Sequence, residues 1–173
     1  MTILSYKNIT PSIGKNCYIA PTATIIGDII IGNNVSIWFN AVARGDVDAI
    51  EIGDNCNVQD LAMLHVSQGI PLKIGANVTI GHGAILHSCS IDDSTLIGMG
   101  AIILDGAEIG KNSLVAAGSV VTPRKKFPPG QLIAGSPAIA VRALSEEEKM
   151  KYGMQYLTYL QLKDEYLESE NKT

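Results

Sequence analysis

Residues 91–121 read IDDSTLIGMGAIILDGAEIGKNSLVAAGSVV, and in them Ile91, Ile97, Ile103, Ile109, Val115 and Val121 stand six apart. Six is neither the period of a helix nor that of a simple strand. It suits a short strand and a turn, repeated so that one aliphatic per unit points into a narrow core. The register extends upstream through Ile74, Ile80 and Leu86, through Ile52, Val58 and Leu64, and through Ile13, Ile19, Ile25, Ile31, Ile37 and Ala43. Three phase breaks separate these blocks: three extra residues before Ile52, four before Ile74 and one missing before Ile91. Glycine follows the aliphatic at Gly14, Gly32, Gly53, Gly75, Gly81, Gly98 and Gly110, often with Asn or Asp next. That is turn chemistry, because these residues tolerate positive φ.

The eighteen hexads predict a parallel β-solenoid. Hexads of this aliphatic–Gly type resemble the left-handed triangular β-helix, with three hexads to an 18-residue coil; the left hand is implied by that resemblance, against the usual right-handed crossover. The expected fold is therefore an all-β solenoid, a left-handed parallel β-helix of about six triangular coils, roughly 29 Å tall at ~4.8 Å per coil. After Val121 the segment TPRKKFPPGQLIAGSPA (122–138) reads as a connecting loop. Residues 1–144 then form the β-helix domain with its loop, and 145–173 a C-terminal α-helix packing on the β-helix or on a neighbouring subunit. Ser145 with Glu148 makes a capping box, and Met150, Met154, Leu157 and Leu160 supply an apolar stripe. Gly153 weakens the helix slightly, and the final ESENKT (168–173) is expected to fray.

At 173 residues, with 46% hydrophobic and 17% charged residues, the chain is long enough for one domain with a full core. A net charge of −4 excludes a basic nucleic-acid footprint. MTILSYKNIT lacks the pattern of a signal peptide, and no apolar run reaches membrane-spanning length. Cys17, Cys56 and Cys89, an odd and widely spaced set, read as plain buried thiols in a reducing cytoplasm.

The chain has only three histidines. His82 and His87 are five apart, a spacing that neither helix nor strand turns into one metal site. Coil arithmetic resolves this. His65 and His87 are 22 apart, one 18-residue coil plus the four-residue insertion, so they fall on one face in adjacent coils. His82 falls on the neighbouring face, from which it meets the first pair only across a contact in a threefold oligomer. Three histidines with one open position are the ligand set of a catalytic zinc site; the alternative is that each is a solvated surface residue. Nearby, Arg44 with Asp46 and Asp60 suits a bidentate network across a subunit contact. Asn57 and Gln59 share a strand face, where either suits a hydrogen bond to a metal-bound water or simple ladder polarity.

Three segments, ARGDVDAIEIGDNCNVQDLAMLH (43–65), IGHGAILHSC (80–89) and FPPGQLIAGSPA (127–138), together resemble the gamma-class carbonic anhydrase family over nearly the whole chain. The resemblance implies left-handed β-helix trimers that bind zinc, or iron or cobalt, between subunits. It implies His65, His82 and His87 as ligands, with His82 from the adjacent subunit. It further implies Arg44, Asp46 and Asp60 at the subunit contact, Gln59 beside the metal-bound water, and a tyrosine best matched by Tyr159, with Tyr152 and Tyr156 as alternatives. Two proton-shuttling glutamates of well-studied members have no counterpart here. Val47 and the short VSQGIPLK (66–73) stand in their places, which predicts low, buffer-dependent or absent activity.

Three functions follow. The first is reversible hydration of CO₂ to bicarbonate by a metal-bound hydroxide at the subunit interface, with Gln59 orienting the oxygen. The second is a non-catalytic metal-binding or scaffold trimer. The third is a hexapeptide-repeat acyltransferase, because GSPA (135–138) with Arg142 resembles the acyl-CoA end of that superfamily; it would need one histidine as a general base, not three in metal geometry.

Overall fold

Each hexad leaves room for only two strand residues before a turn, so stability has to come from stacking one coil on the next. In the computed structural model, whose described residues are 1–170, the chain winds into a left-handed parallel β-helix of about seven turns with helical structure at its C-terminus. On one face Val58, Ile80, Ile97, Val115 and Ile133 pair in succession, each in parallel register with the next. The inward aliphatics Ile25, Ile37, Leu64, Ile80, Leu86 and Ile97 are fully buried. At one corner Asn16, Asn34, Asn55 and Asn77 adopt positive φ, and each side-chain amide donates to the next across 2.9–3.1 Å. Coils approach closely at the glycines: a Cβ on Gly14 would lie 2.4 Å from the Gly32 carbonyl oxygen.

The phase breaks become local features. The three-residue insertion is absorbed within the long strand Val42–Ile52, whose first half pairs with Met63–His65 and whose second half pairs with Leu72–Ile74 around a corner of the prism. The four-residue insertion becomes a loop, closed by a bridge between Ser67 and Ile70.

Residues 122–138 are not a connecting loop. Phe127 pairs with Ile109 and Ile133 with Val115, which adds a further turn, and Gln131–Gly135 then forms an antiparallel hairpin with Ala138–Ala143. Pro123, Pro128 and Pro129 lie between the short strands, where no ladder N–H is required, so they punctuate corners without ending the repeat.

The C-terminal segment is two helices, α1 (Glu146–Gly153) and α2 (Tyr156–Glu170). The Ser145–Glu148 capping box is formed in both directions. Met150, Met154 and Leu157 are 66, 48 and 42% exposed on this chain, so that stripe does not lie against the prism; the side chains packed on the core are Tyr159, Leu162, Tyr166 and Leu167. Gly153 seats beside Ser94, the helix breaks at Met154–Gln155, and a helical phase counted through that break is lost. α2 lies on strands Tyr18–Ile19 and Ser36–Ile37, with Tyr166 5.1 Å from Trp38 and 5.2 Å from Tyr18, ring centre to ring centre. Helix continues through Glu170; the rest of the segment expected to fray, 171–173, lies outside the described residues. Among the described residues no helix is long and apolar enough to cross a membrane.

Candidate metal centre

Strands Met63–His65 and Ile85–His87 are stacked in parallel, with His87 directly opposite His65. Both side chains follow a buried Leu and therefore point outward, their ring centres 5.0 Å apart. His65 Nδ1 faces His87 Nε2 at 3.1 Å. The opposite nitrogen of each ring meets a carboxylate: His65 Nε2 lies 3.1 Å from Asp46 Oδ1, and His87 Nδ1 lies 2.5 Å from Asp105 Oδ1. Arg44, opposite His65 in the ladder, donates to Asp46 Oδ2, and Ser67 Oγ donates to Asp105 Oδ2 at 3.0 Å.

These carboxylates favour one tautomer for each ring. If Asp46 and Asp105 accept the N–H of each neutral imidazole, the facing nitrogens carry lone pairs. Two lone pairs at 3.1 Å repel unless a proton or metal cation lies between them. Zinc bound by two histidines at ~2.0–2.1 Å in tetrahedral geometry spans about 3.3 Å between nitrogens, so this pair fits a divalent metal. Partial burial pulls the Asp46 carboxyl upward, but hydrogen bonds from Arg44 and His65 outweigh it and hold the group below its ordinary range. Burial acts likewise on Asp105 and is outweighed by hydrogen bonds from His87 and Ser67.

A second group forms on the neighbouring face. His82 follows the buried strand Thr79–Ile80, and its Nδ1 lies 2.8 Å from Asp60 Oδ2. Its backbone N–H donates to Gln59 Oε1 at 3.1 Å; Gln59 Nε2 donates to Asn57 Oδ1 at 3.1 Å, and Asn57 Nδ2 to Thr79 Oγ1 at 2.9 Å. Gln59 and Tyr159 line one cleft of about 420 Å³ with Thr79, Leu96, Met99 and Leu114. Burial, reinforced by the charge of Asp60, raises the Tyr159 hydroxyl above its ordinary range. Of the alternatives, Tyr156 borders a different hollow with Ser94 and Asn112, and Tyr152 does not line the cleft.

The residues singled out from sequence thus fall into two groups within one chain: His65, His87, Arg44 and Asp46 on one face, and His82, Asp60, Gln59, Asn57 and Tyr159 on the next. Among the described residues no three His, Cys, Asp or Glu side chains gather to hold a metal. Sequence reasoning missed Asp105 and Ser67, although Asp105 stands 18 residues, one coil, beyond His87. Cys56 and Cys89 are free and buried, and burial pushes the Cys56 thiol up to about 12 and the Cys89 thiol higher still.

Comparison with known proteins agrees with this architecture. The bacterial transferase hexapeptide (six repeats) family matches residues 10–45 and 88–123. The carbonic anhydrase of Geobacillus kaustophilus is 50% identical over 84% of this chain and 80% of its own. The mitochondrial gamma carbonic anhydrase 2 of Arabidopsis thaliana is 36% identical over 99% of this chain, which spans 64% of that longer protein, and 56% of its relative gamma carbonic anhydrase 1. A crystal structure of a hexapeptide transferase family protein from Anaplasma phagocytophilum superposes with a TM-score of 0.92 at 40% identity, covering 95% of this chain and 98% of that one. With 50% identity to a carbonic anhydrase over 84% of this chain and 80% of that protein, and with a gamma-class relative aligned over 99% of this chain, the chain belongs to the gamma carbonic anhydrase family of hexapeptide-repeat proteins.

Proposed function

We propose that this protein is a metal-dependent carbonic anhydrase-like enzyme that interconverts CO₂ and bicarbonate at sites completed between the copies of a homotrimer. Residues 1–144 build the prism and 145–170 brace it. Each centre takes His65 and His87 from one subunit and His82 from the next. The observation that carries this reading is the pair of facing nitrogens, His65 Nδ1 and His87 Nε2, each ring anchored behind by its own carboxylate. Zinc, or iron or cobalt, bound there supplies Lewis-acid activation of water, the chemistry for which carbonic anhydrases are the standard example.

The chain's own residues do the rest. Gln59 has one N–H engaged by Asn57 and its oxygen engaged by the His82 amide, so its second N–H is held in a fixed direction to orient a substrate oxygen. The apolar wall of the adjoining cleft, with Tyr159 at its edge, accepts an uncharged, weakly solvated substrate. Proton export is the weak step. Val47 is half exposed and carries no acid, and the neighbouring Asp48 carboxylate is taken up by the amides of Gly69 at 2.7 Å and Ala49 at 2.8 Å. Turnover therefore depends on external buffer.

The test is metal content per chain, mass in solution and stopped-flow CO₂ hydration across an imidazole-buffer series. About one metal per chain in a trimer, with hydration rising with buffer, supports the proposal. Stoichiometric metal with no hydration at any buffer concentration leaves a metal-binding scaffold instead. The apolar cleft favours one other reading, acyl transfer from acyl-CoA; a metal-free protein that binds acetyl-CoA would establish it.

A further inference from the structure

We infer that Asp105 is a positioning residue of this centre: it fixes His87 as the Nδ1–H tautomer and keeps Nε2 turned toward His65. The inference rests on the metal reading above. Both Asp105 oxygens are engaged, Oδ1 by His87 Nδ1 at 2.5 Å and Oδ2 by Ser67 Oγ at 3.0 Å. Ser67 is itself fixed, because its backbone N–H donates to Ser88 Oγ at 2.5 Å and it bridges to Ile70. The carboxylate is thus clamped between the His87 coil and the four-residue insertion, which gives that insertion a use even though it carries no acid.

Charge gives a second argument. Each histidine has its own carboxylate: Asp46 for His65, Asp60 for His82 and Asp105 for His87. Arg44 offsets Asp46, so with neutral imidazoles Asp60 and Asp105 leave two negative charges across the paired half-sites, matching one divalent cation. Carboxylates behind metal-binding imidazoles raise donor strength and fix ring orientation, and their loss commonly lowers metal affinity 10–100-fold.

The experiment compares wild type, Asp105→Ala, Asp105→Asn and Ser67→Ala, matched for circular dichroism and mass in solution. Zinc affinity is read by chelator competition, and the His87 tautomer by long-range ¹H–¹⁵N correlation in the metal-free proteins. Asp105→Ala is expected to lose about 10–100-fold in zinc affinity and to shift His87 toward the Nε2–H form. Asp105→Asn, which keeps an acceptor without the charge, is expected to restore the tautomer and part of the affinity; Ser67→Ala keeps the tautomer with a smaller loss. A wild-type tautomer or a wild-type affinity in Asp105→Ala overturns the inference. If wild type takes up no zinc while the tautomer still follows residue 105, the metal function falls and the placement of His87 by Asp105 stands.

Discussion

Gln59 is 4% exposed and is bonded on both sides, to Asn57 Oδ1 and to the His82 amide. Gln59→Leu preserves the volume but strands two buried polar groups, a loss of about 1–3 kcal/mol. Urea unfolding should show a lower midpoint and CO₂ hydration should slow, while metal per chain stays at the wild-type level; unchanged stability would mean that water satisfies both groups. Such residues were legible because the coil turns sequence distance into spatial distance. His65 and His87 could be paired by counting once the four-residue insertion between them is added to one coil. Asp105 was equally countable, one coil past His87, but in LDG it carries the composition of an ordinary turn. Nothing in its residue type distinguishes a carboxylate that caps a loop from one that grips an imidazole.

The junction between hairpin and helix offers a test at the level of the element. Glu148 accepts from both Arg142 guanidinium nitrogens at 2.7 Å and from the Ser145 amide at 2.9 Å. The Arg142 hydrogen bond, with that of Ser145, pulls its carboxyl from 4.5 to about 2. A folded value below the unfolded one contributes stability that is present above pH 4.5 and is lost as pH falls toward 2. Glu148 is only partly covered and faces solvent, so the effect is modest and screened by salt. Helical circular dichroism of wild type should become easier to melt across that window, whereas Glu148→Gln should give a flatter response; equal slopes would assign the acid sensitivity to other carboxylates. Tyr166→Ala tests how α2 is held. It removes ring contacts to Trp38, Tyr18 and Phe39 and is expected to cost about 2–3 kcal/mol, less than a fully buried aromatic. Trp38, the chain's single tryptophan, should report the change in its fluorescence, and an unshifted emission and melting curve would show that α2 is held elsewhere. These elements were harder to read than the prism. Prolines at 123, 128 and 129 hid a further coil because they mark loops in most folds, and the break after Gly153 sets Tyr159, Leu162, Tyr166 and Leu167 on the prism in place of the stripe counted through it.

For the whole molecule, periodicity makes the prism legible, because one aliphatic per hexad and one glycine or asparagine per turn leave few other packings. Periodicity carries no hand, which came from resemblance, and it shows which faces bear histidines but not how copies meet. That last point has physical content. The coil core holds the His65–His87 face and the His82 face as separate walls of one rigid prism, so a centre using all three histidines needs two copies. His65→Ala and His82→Ala should each fold, since both side chains point out of the core, and each alone should lose bound metal. Co-assembled in equal amounts as trimers, a contact is intact where a subunit with native His65 meets one with native His82. Random mixing makes that about one contact in four, so the mixture should recover roughly a quarter of wild-type metal and of any hydration activity. Elemental analysis of the purified mixed trimers reads the result directly. No recovery, with mixed trimers verified by mass, would place all the metal ligands within a single chain and remove the shared centre from the proposed function.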